Sequence, residues 1–322
     1  MNPVKLGIIG CGIAARKLHF PALQKLKDKF EVVRVCNHTE PKAKSFSEML
    51  GGVPYVLDYH ELLNDPEIEA VLIILPIHLN YRVTLDSLKA GKHVLLEKPI
   101  AANLDEGRKM LLFKKLYPQV KMVAENFRYR ETFYQVKNLL DSRKIGKPYA
   151  AIWNVLYQIK PDNQYAQTEW RKHHQYPGGF ITDGGVHNMA ALRLLLGEIV
   201  SINAFSKSVN PEIGEVDTFS MQFQTDQNVH GILNLFFAPI GFDVNELHIL
   251  GEKGSITIQG NDITVKLMDG SKDKISVEDD GGYSNQLLDF FNSIRNKTTI
   301  KSTFEESFRD FEIIIESLNN SF

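Results

Sequence analysis

Val4-Lys5-Leu6-Gly7-Ile8-Ile9-Gly10-Cys11-Gly12-Ile13-Ala14-Ala15 decides the fold of this chain. Val4 to Ile9 is an apolar run of strand length. It leads into a Gly-x-Gly-x-x-Ala turn, and a helical pattern follows through about Lys27. A strand, this turn and a helix, in that order, are the context that a dinucleotide-binding fingerprint requires. Gly10 permits the tight turn, and Gly12 leaves room for a pyrophosphate to approach the backbone. Ile13 and Ala14 open the helix, whose N–H groups and positive dipole end face the phosphates. Ala15 lets the helix lie close to the sheet. A glycine turn without a ligand is the competing explanation, and the flanking strand and helix count against it.

The next apolar run, Val32 to Cys36, reads as a second strand. An NAD enzyme usually carries Asp or Glu at its end, to bond the ribose 2′-hydroxyl. This chain has Asn37, then His38 and Thr39, with Lys42 nearby. Asn37 can bond a ribose hydroxyl without repelling a 2′-phosphate, and His38 or Lys42 can attract one. The expected cofactor is therefore NADP or NAD, and the reading leans to NADP.

Strands and helices go on alternating. Ala70 to Leu75 is a third strand, followed by Pro76, and a helix from about Asn80 to Ala90 ends at Gly91. The stretch from His93 to Ala101 follows, with Val94, Leu95 and Leu96 as its buried strand and Glu97-Lys98-Pro99 at its end. In an open parallel sheet, ligands sit outside the carboxyl ends of strands. A lysine there can place positive charge on a substrate, although an isolated Glu-Lys-Pro is more often a surface turn. Pro99 restricts Lys98, and such a site can hold a cis bond. Asn103 caps a helix running to about Leu116. Lys121 to Ala124 is a further strand, ending in Glu125-Asn126-Phe127-Arg128. Alternation of this length predicts a doubly wound parallel sheet.

The pattern changes after Gly146-Lys147-Pro148. Runs at 149–159, 200–207, 218–224, 229–237, 246–250, 255–259 and 263–267 are strand-like, with short turns between many of them. They predict a mainly antiparallel sheet. Helices over about 283–295 and 303–319 close the chain. The predicted class is thus α/β, with residues 1–126 as one domain and 127–322 as a second, α+β domain. One helix interrupts the strands, led in by Gly178-Gly179 and ending at Gly197. On it Asp183 and His187 are four residues apart, neighbours on one face. A carboxylate there favours and orients a protonated imidazole, although a structural hydrogen bond is the commoner use of one such pair.

Length and charge narrow the function. A chain of 322 residues suits two domains. Its 37 basic and 39 acidic residues give no electrostatic reason to expect nucleic acid or an anionic membrane as a partner. Cys11 and Cys36 form neither a disulfide framework nor a zinc motif, so reduced thiols and a cytoplasmic protein are expected. Residues 1–30 carry no signal-peptide pattern, and no apolar run reaches the ~20 residues of a membrane helix.

These pieces suit a dehydrogenase. Oxidising an alcohol removes a hydride from carbon and a proton from oxygen, and the cofactor takes the hydride. His187 can move the proton, Lys98 can stabilise the alkoxide, and Asp183 can orient His187. Arg128, Trp170 and Arg171 are candidate substrate contacts. An equal alternative is a structural ion pair for either arginine and a core position for Trp170.

The chain also resembles the glucose–fructose oxidoreductase, inositol dehydrogenase and rhizopine-catabolism family, known as Gfo/Idh/MocA. The resemblance covers nearly the whole chain. It rests on Gly10-x-Gly12-x-x-Ala15 with His19, Ala90-Gly91-Lys92-His93-Val94 running into Glu97-Lys98-Pro99, Trp170-Arg171, Gly178-Gly179 and Asp183-x-x-x-His187. It implies a Rossmann domain, and beside it an α/β domain with a large open sheet. It further implies NAD or NADP acting on sugars, cyclitols or related polyols. Lys98, Asp183 and His187 become the catalytic set. Leu75, Pro76, Asn80 and Glu97 fall at cofactor contacts, and a homodimer or homotetramer through the C-terminal sheet is expected. The chain departs from the family at Leu75-Pro76-Ile77, where Thr-Pro-Asn is frequent. It departs again at Ala190, where an Asp often helps hold the substrate. A non-catalytic nicotinamide-binding regulator is the alternative, and the presence of Lys98, Asp183 and His187 weighs against it. A metal site from His173, His174, Asp183 and His187 is disfavoured, because adjacent histidines do not readily converge with His187.

Overall fold

A computed structural model of the protein describes residues 2–160, 162–172 and 175–320. The chain divides into two compact units, Met1–Asn126 with Gly282–Arg309, and Phe127–Gly281 with Asp310–Phe322.

The first unit is built on six parallel strands: β1 (Val4–Ile9), β2 (Phe30–Cys36), β3 (Tyr55–Val56), β4 (Ala70–Ile73), β5 (His93–Glu97) and β6 (Lys121–Ala124). Their order is β3-β2-β1-β4-β5-β6, with every neighbouring pair parallel. β4 is buried along its whole length, as is β5 from Val94 to Glu97. Strands covered on both faces need near-continuous apolar runs rather than alternation. The order reverses between β1 and β4, and the crevice at such a point is where these sheets hold ligands. Asn103 caps as expected, accepting from the Glu106 amide at 2.9 Å. The helix it starts is divided, into Leu104–Leu111 and Phe113–Leu116. The helix after β1 is wound as a π-turn over Ala15–His19 before becoming α-helical at Phe20–Lys25.

The second unit carries eight strands: β7 (Pro148–Leu156), β8 (Ile199–Lys207), β9 (Thr218–Thr225), β10 (His230–Phe236), β11 (Val244–Gly251), β12 (Gly254–Gln259), β13 (Asp262–Leu267) and β14 (Lys272–Ser276). They lie in the order β14-β13-β12-β11-β7-β10-β9-β8. All pairs are antiparallel except β7 with β10. One face is apolar in alternation. Trp153, Met221, Leu233, Leu247, Ile256 and Val265 share a core with Phe133 and Val136 of helix Glu131–Asp141 and with Ile181, Met189 and Leu192 of helix Gly179–Leu196. Helix Gly179–Leu196 is buried on most sides, which is why its sequence is apolar rather than amphipathic.

The closing helices form at Tyr283–Arg295 and Phe304–Asn319. The sequence reading placed everything after residue 126 in one domain, whereas residues 282–309 cluster with the first unit. Phe290 and Phe291 account for this. Both are buried, and Phe291 meets Phe30 of β2 edge-on at 5.9 Å between ring centroids. No helix among the described residues is long and apolar enough to cross a membrane.

Candidate functional site

The glycine turn after β1 is shaped by its neighbours. Gly10 has φ +107°, and a Cβ on it would collide with the Ile74 carbonyl. Only glycine tolerates that backbone at that distance. Gly12 is the opposite case, because a Cβ there would meet nothing within 4 Å. Open space beside a helix start, at the point where the strand order reverses, fits a pyrophosphate group held by backbone N–H. Ala15 is fully buried, so the helix does lie close.

Asn37 is buried and braces this turn. Its Oδ1 accepts from the Cys11 amide at 3.2 Å, and its Nδ2 donates to the Thr39 carbonyl at 3.2 Å. His38 and Lys42 are exposed beside it. Both cysteines are buried free thiols.

Lys98 follows directly on β5 and is half-buried. The Lys98–Pro99 peptide bond is cis. Three side chains hold this turn. His19, on the π-turn, lies with Nε2 2.6 Å from Glu97 Oε1. Glu97 Oε2 accepts the Lys98 amide at 3.0 Å. Asn80 donates its Nδ2 to the carbonyls of Glu97 (3.2 Å) and Pro99 (2.8 Å). Asn80 and Glu97 were both expected as cofactor contacts. Their side chains make these bonds to the turn that presents Lys98. Leu75 and Pro76 sit half-buried after β4.

In the second unit, Asp183 is buried and accepts from Arg171 Nε at 2.8 Å. The Arg171 guanidinium lies 3.9 Å over the Trp170 ring. Trp170 in turn packs against Tyr176 at 5.8 Å. His187 stacks on Phe127, 4.7 Å between centroids with 19° between planes. Arg128 donates from one nitrogen to both oxygens of Asp310, at 2.8 and 2.6 Å. This is the ion-pair role that the sequence reading set beside a substrate contact. Ala190 is wholly buried.

A cavity of about 180 Å³ opens beside His187, between helix Gly179–Leu196 and the apolar sheet face. Trp153, Val155, Leu247 and Ile258 form its apolar wall. Phe127, Arg130, Tyr157, Asn188 and Asn245 bring polar or aromatic groups to it. Arg130 is fixed there by Asp279 Oδ2 (3.2 Å), the Gly260 carbonyl (3.1 Å) and Asn261 Oδ1 (2.6 Å). Burial, with Asp183 and Asp243 adding to it, raises the Tyr157 hydroxyl above its ordinary range. Of these five, the sequence reading named Phe127, within Glu125-Asn126-Phe127-Arg128 at the end of β6, and missed Arg130, Tyr157, Asn188 and Asn245. Only Asn188, next to His187, and Phe127 with Arg130, just past β6, carried a positional signal. Among the described residues no group of three or more His, Cys, Asp or Glu is placed to hold a metal ion. His173 and His174 lie outside the described residues.

Residues 4–125 match the family model described as the oxidoreductase family with an NAD-binding Rossmann fold, and residues 133–257 match the Gfo/Idh/MocA C-terminal domain. A crystal structure of an oxidoreductase from Thermotoga maritima superposes with a TM-score of 0.94 at 32% identity, covering 99% of this chain and 97% of that one. The chain belongs to the Gfo/Idh/MocA oxidoreductase family.

Family members with similar sequences extend over most of the chain. An uncharacterised protein of Saccharomyces cerevisiae is 31% identical over 316 residues, 92% of this chain and 89% of its own. The myo-inositol 2-dehydrogenase of Thermotoga maritima is 26% identical over 84% of this chain and 80% of its own. This Gfo/Idh/MocA protein is thus an oxidoreductase with an NAD(P)-binding Rossmann unit.

Proposed function

We propose that this protein transfers hydride between a nicotinamide cofactor, NADP or NAD, and a carbinol or carbonyl carbon of a sugar, cyclitol or related polyol. The observation that carries the reading is the open space at Gly12, at the strand-order reversal of a Rossmann sheet. The similarity to an inositol dehydrogenase supports the substrate class.

Nicotinamide, when bound, accepts or gives the hydride. The protein does the rest. His187 takes the hydroxyl proton or returns it, since imidazole exchanges protons near neutral pH. Lys98 holds its ammonium against the oxygen as negative charge develops there. Asp183 and Arg171 fix the helix face that carries His187. Tyr157, Asn188 and Asn245, set among aromatic rings, suit a ligand with several hydroxyls on an apolar skeleton. A homodimer or homotetramer through the C-terminal sheet belongs to the same proposal. Ile152 and Ile232 are register partners, both exposed on its uncovered face, and light scattering measures the resulting mass.

The test is a turnover assay of free polyols with NAD⁺ and NADP⁺, and of keto sugars with the reduced cofactors. Activity on at least one pair is expected, lost in Lys98→Met and in His187→Ala while nucleotide binding persists. Unchanged activity in both variants removes these roles.

A further inference from the structure

We propose that Arg16 reads the 2′-phosphate of NADP in this chain. The proposal rests on the nucleotide-binding reading above and names the residue that selects between the two cofactors. Arg16 directly follows the Gly10-x-Gly12-x-x-Ala15 turn. Its guanidinium reaches from that turn to helix Glu40–Met49, which begins just beyond β2. Nε donates to the Cys11 carbonyl at 3.1 Å, one terminal nitrogen to Ser45 Oγ at 3.0 Å, and the other to the Lys42 carbonyl at 2.9 Å. The Phe46 ring lies 5.6 Å from it. Arg16 is therefore held in place before any ligand arrives.

All three of these acceptors are neutral. Five arginines elsewhere in the molecule are matched with carboxylates: Arg34 with Asp65, Arg82 with Asp86, Arg130 with Asp279, Arg171 with Asp183, Arg295 with Glu69. Among the described residues, none brings a carboxylate within ion-pair range of Arg16. The acid nearest in sequence on that helix, Glu40, accepts from the Tyr55 hydroxyl at 3.1 Å. A guanidinium has five N–H donors. Three are taken by these bonds, and a fourth faces Met49 Sδ at 3.5 Å. A thioether is a weak acceptor, so that donor and the fifth can turn to a stronger one.

The position also matches the ligand. The adenosine ribose binds at the end of β2 in this fold. Asn37 stands there in place of an acid. Its amide is bonded to the backbone on both sides, so it adds no charge to repel a phosphate. The fixed, charge-unmatched group is Arg16, with the exposed Lys42 and His38 as adjustable neighbours. A guanidinium held as a rigid fork is well suited to phosphate oxygens.

The test is a direct binding titration of the full chain, wild type and Arg16→Gln, with NADPH and NADH, followed by nicotinamide fluorescence. The wild type is expected to bind NADPH roughly tenfold or more tightly than NADH, as one charged hydrogen-bonded contact implies. Arg16→Gln should lose that preference and keep its NADH affinity within about twofold. Competition by 2′,5′-ADP against 5′-AMP on the wild type gives the same comparison without a variant, and 2′,5′-ADP is expected to win. Equal loss of both cofactors in Arg16→Gln would overturn the proposal, because Arg16 would then only hold the turn together. Equal wild-type affinities, or a preference for NADH, overturn it and leave the nucleotide-binding reading standing. Binding of no nucleotide at all overturns both.

Discussion

His19 Nε2 and Glu97 Oε1 lie 2.6 Å apart, with the histidine wholly buried. A carboxylate accepts, so Nε2 carries the hydrogen. This bond joins the π-turn after β1 to the end of β5. Through Glu97 Oε2 and the Lys98 amide it also fixes the backbone that presents Lys98. His19→Ala leaves a buried carboxylate short of a donor. The expected cost is about 1–3 kcal/mol of stability, read by urea unfolding, together with a fall in kcat. His19→Gln, which restores an N–H, should recover part of both. Wild-type stability in His19→Ala would mean that the turn holds without this bond.

Asp310 is the acceptor on which two arginines of the second unit converge. Arg128 donates to it at 2.6 Å and Arg193 at 2.6 Å, and Asp310 is 1% exposed. Arg193 is shared with Glu198 at 2.7 Å. Asp310→Ala strands buried positive charge, at an expected cost of about 3–5 kcal/mol. Asp310→Ala with Arg128→Leu should be milder than the sum of the single changes, because the second removes part of the charge that the first exposes. Denaturant melts of the three variants decide this, and strict additivity would show that the pair is not coupled.

Why Arg128 pairs with Asp310 could not be read from the sequence follows from their 182-residue separation. What was legible was local. Val4 to Ala15 carries strand, turn and helix in adjacent residues. Tyr283 to Arg295 shows a clear helical period. Burial on both faces made β4 and β5 visible as unbroken apolar runs. The two-residue β3 and the exposed, lysine-rich β14 have no such pattern. The use of residues 282–309 in the first unit depends on Phe291 finding Phe30, a contact no window contains. Asn80 and Glu97 were picked out as functional positions. Their bonds to the Lys98 turn are long-range and needed coordinates. The cavity beside His187 draws on the strands β7, β11 and β12 and on the helices Glu131–Asp141 and Gly179–Leu196, so only its members next to a motif could be noticed in advance.

His93 sets a pH dependence. Val120 donates its amide to His93 Nδ1 at 2.8 Å, which requires that nitrogen to be bare. Burial lowers the ring's pKa below its ordinary value, with Arg295 and Lys121 acting the same way and Glu69 opposing. The folded state therefore prefers neutral histidine. Stability from this group is complete above the unfolded value of ~6.5 and is lost as pH falls from there through the folded pKa. The stability advantage of wild type over His93→Gln should shrink between about pH 7 and pH 5. A constant advantage would show that the ring does not titrate differently on unfolding.

Burial pushes the Cys11 and Cys36 thiols up to about 12. The thiolate is the reactive form, so both should resist thiol reagents in the native protein at mildly alkaline pH. Two equivalents should react once the chain is unfolded in guanidinium. Rapid labelling of either in the native state would contradict the burial.

Arg171 shares the Asp183 carboxylate at 2.8 Å. Asp183 sits one helical turn before His187, where side chains are ~5–6 Å apart at Cβ. Arg171→Ala leaves the buried Asp183 without this donor and Trp170 without the guanidinium over its ring. The expected cost is about 1–3 kcal/mol of stability, read by urea unfolding, together with a fall in kcat/KM. Arg171→Lys keeps a positive charge without the planar fork and should recover part of the stability. Wild-type stability in Arg171→Ala would show that the helix is held without this pair.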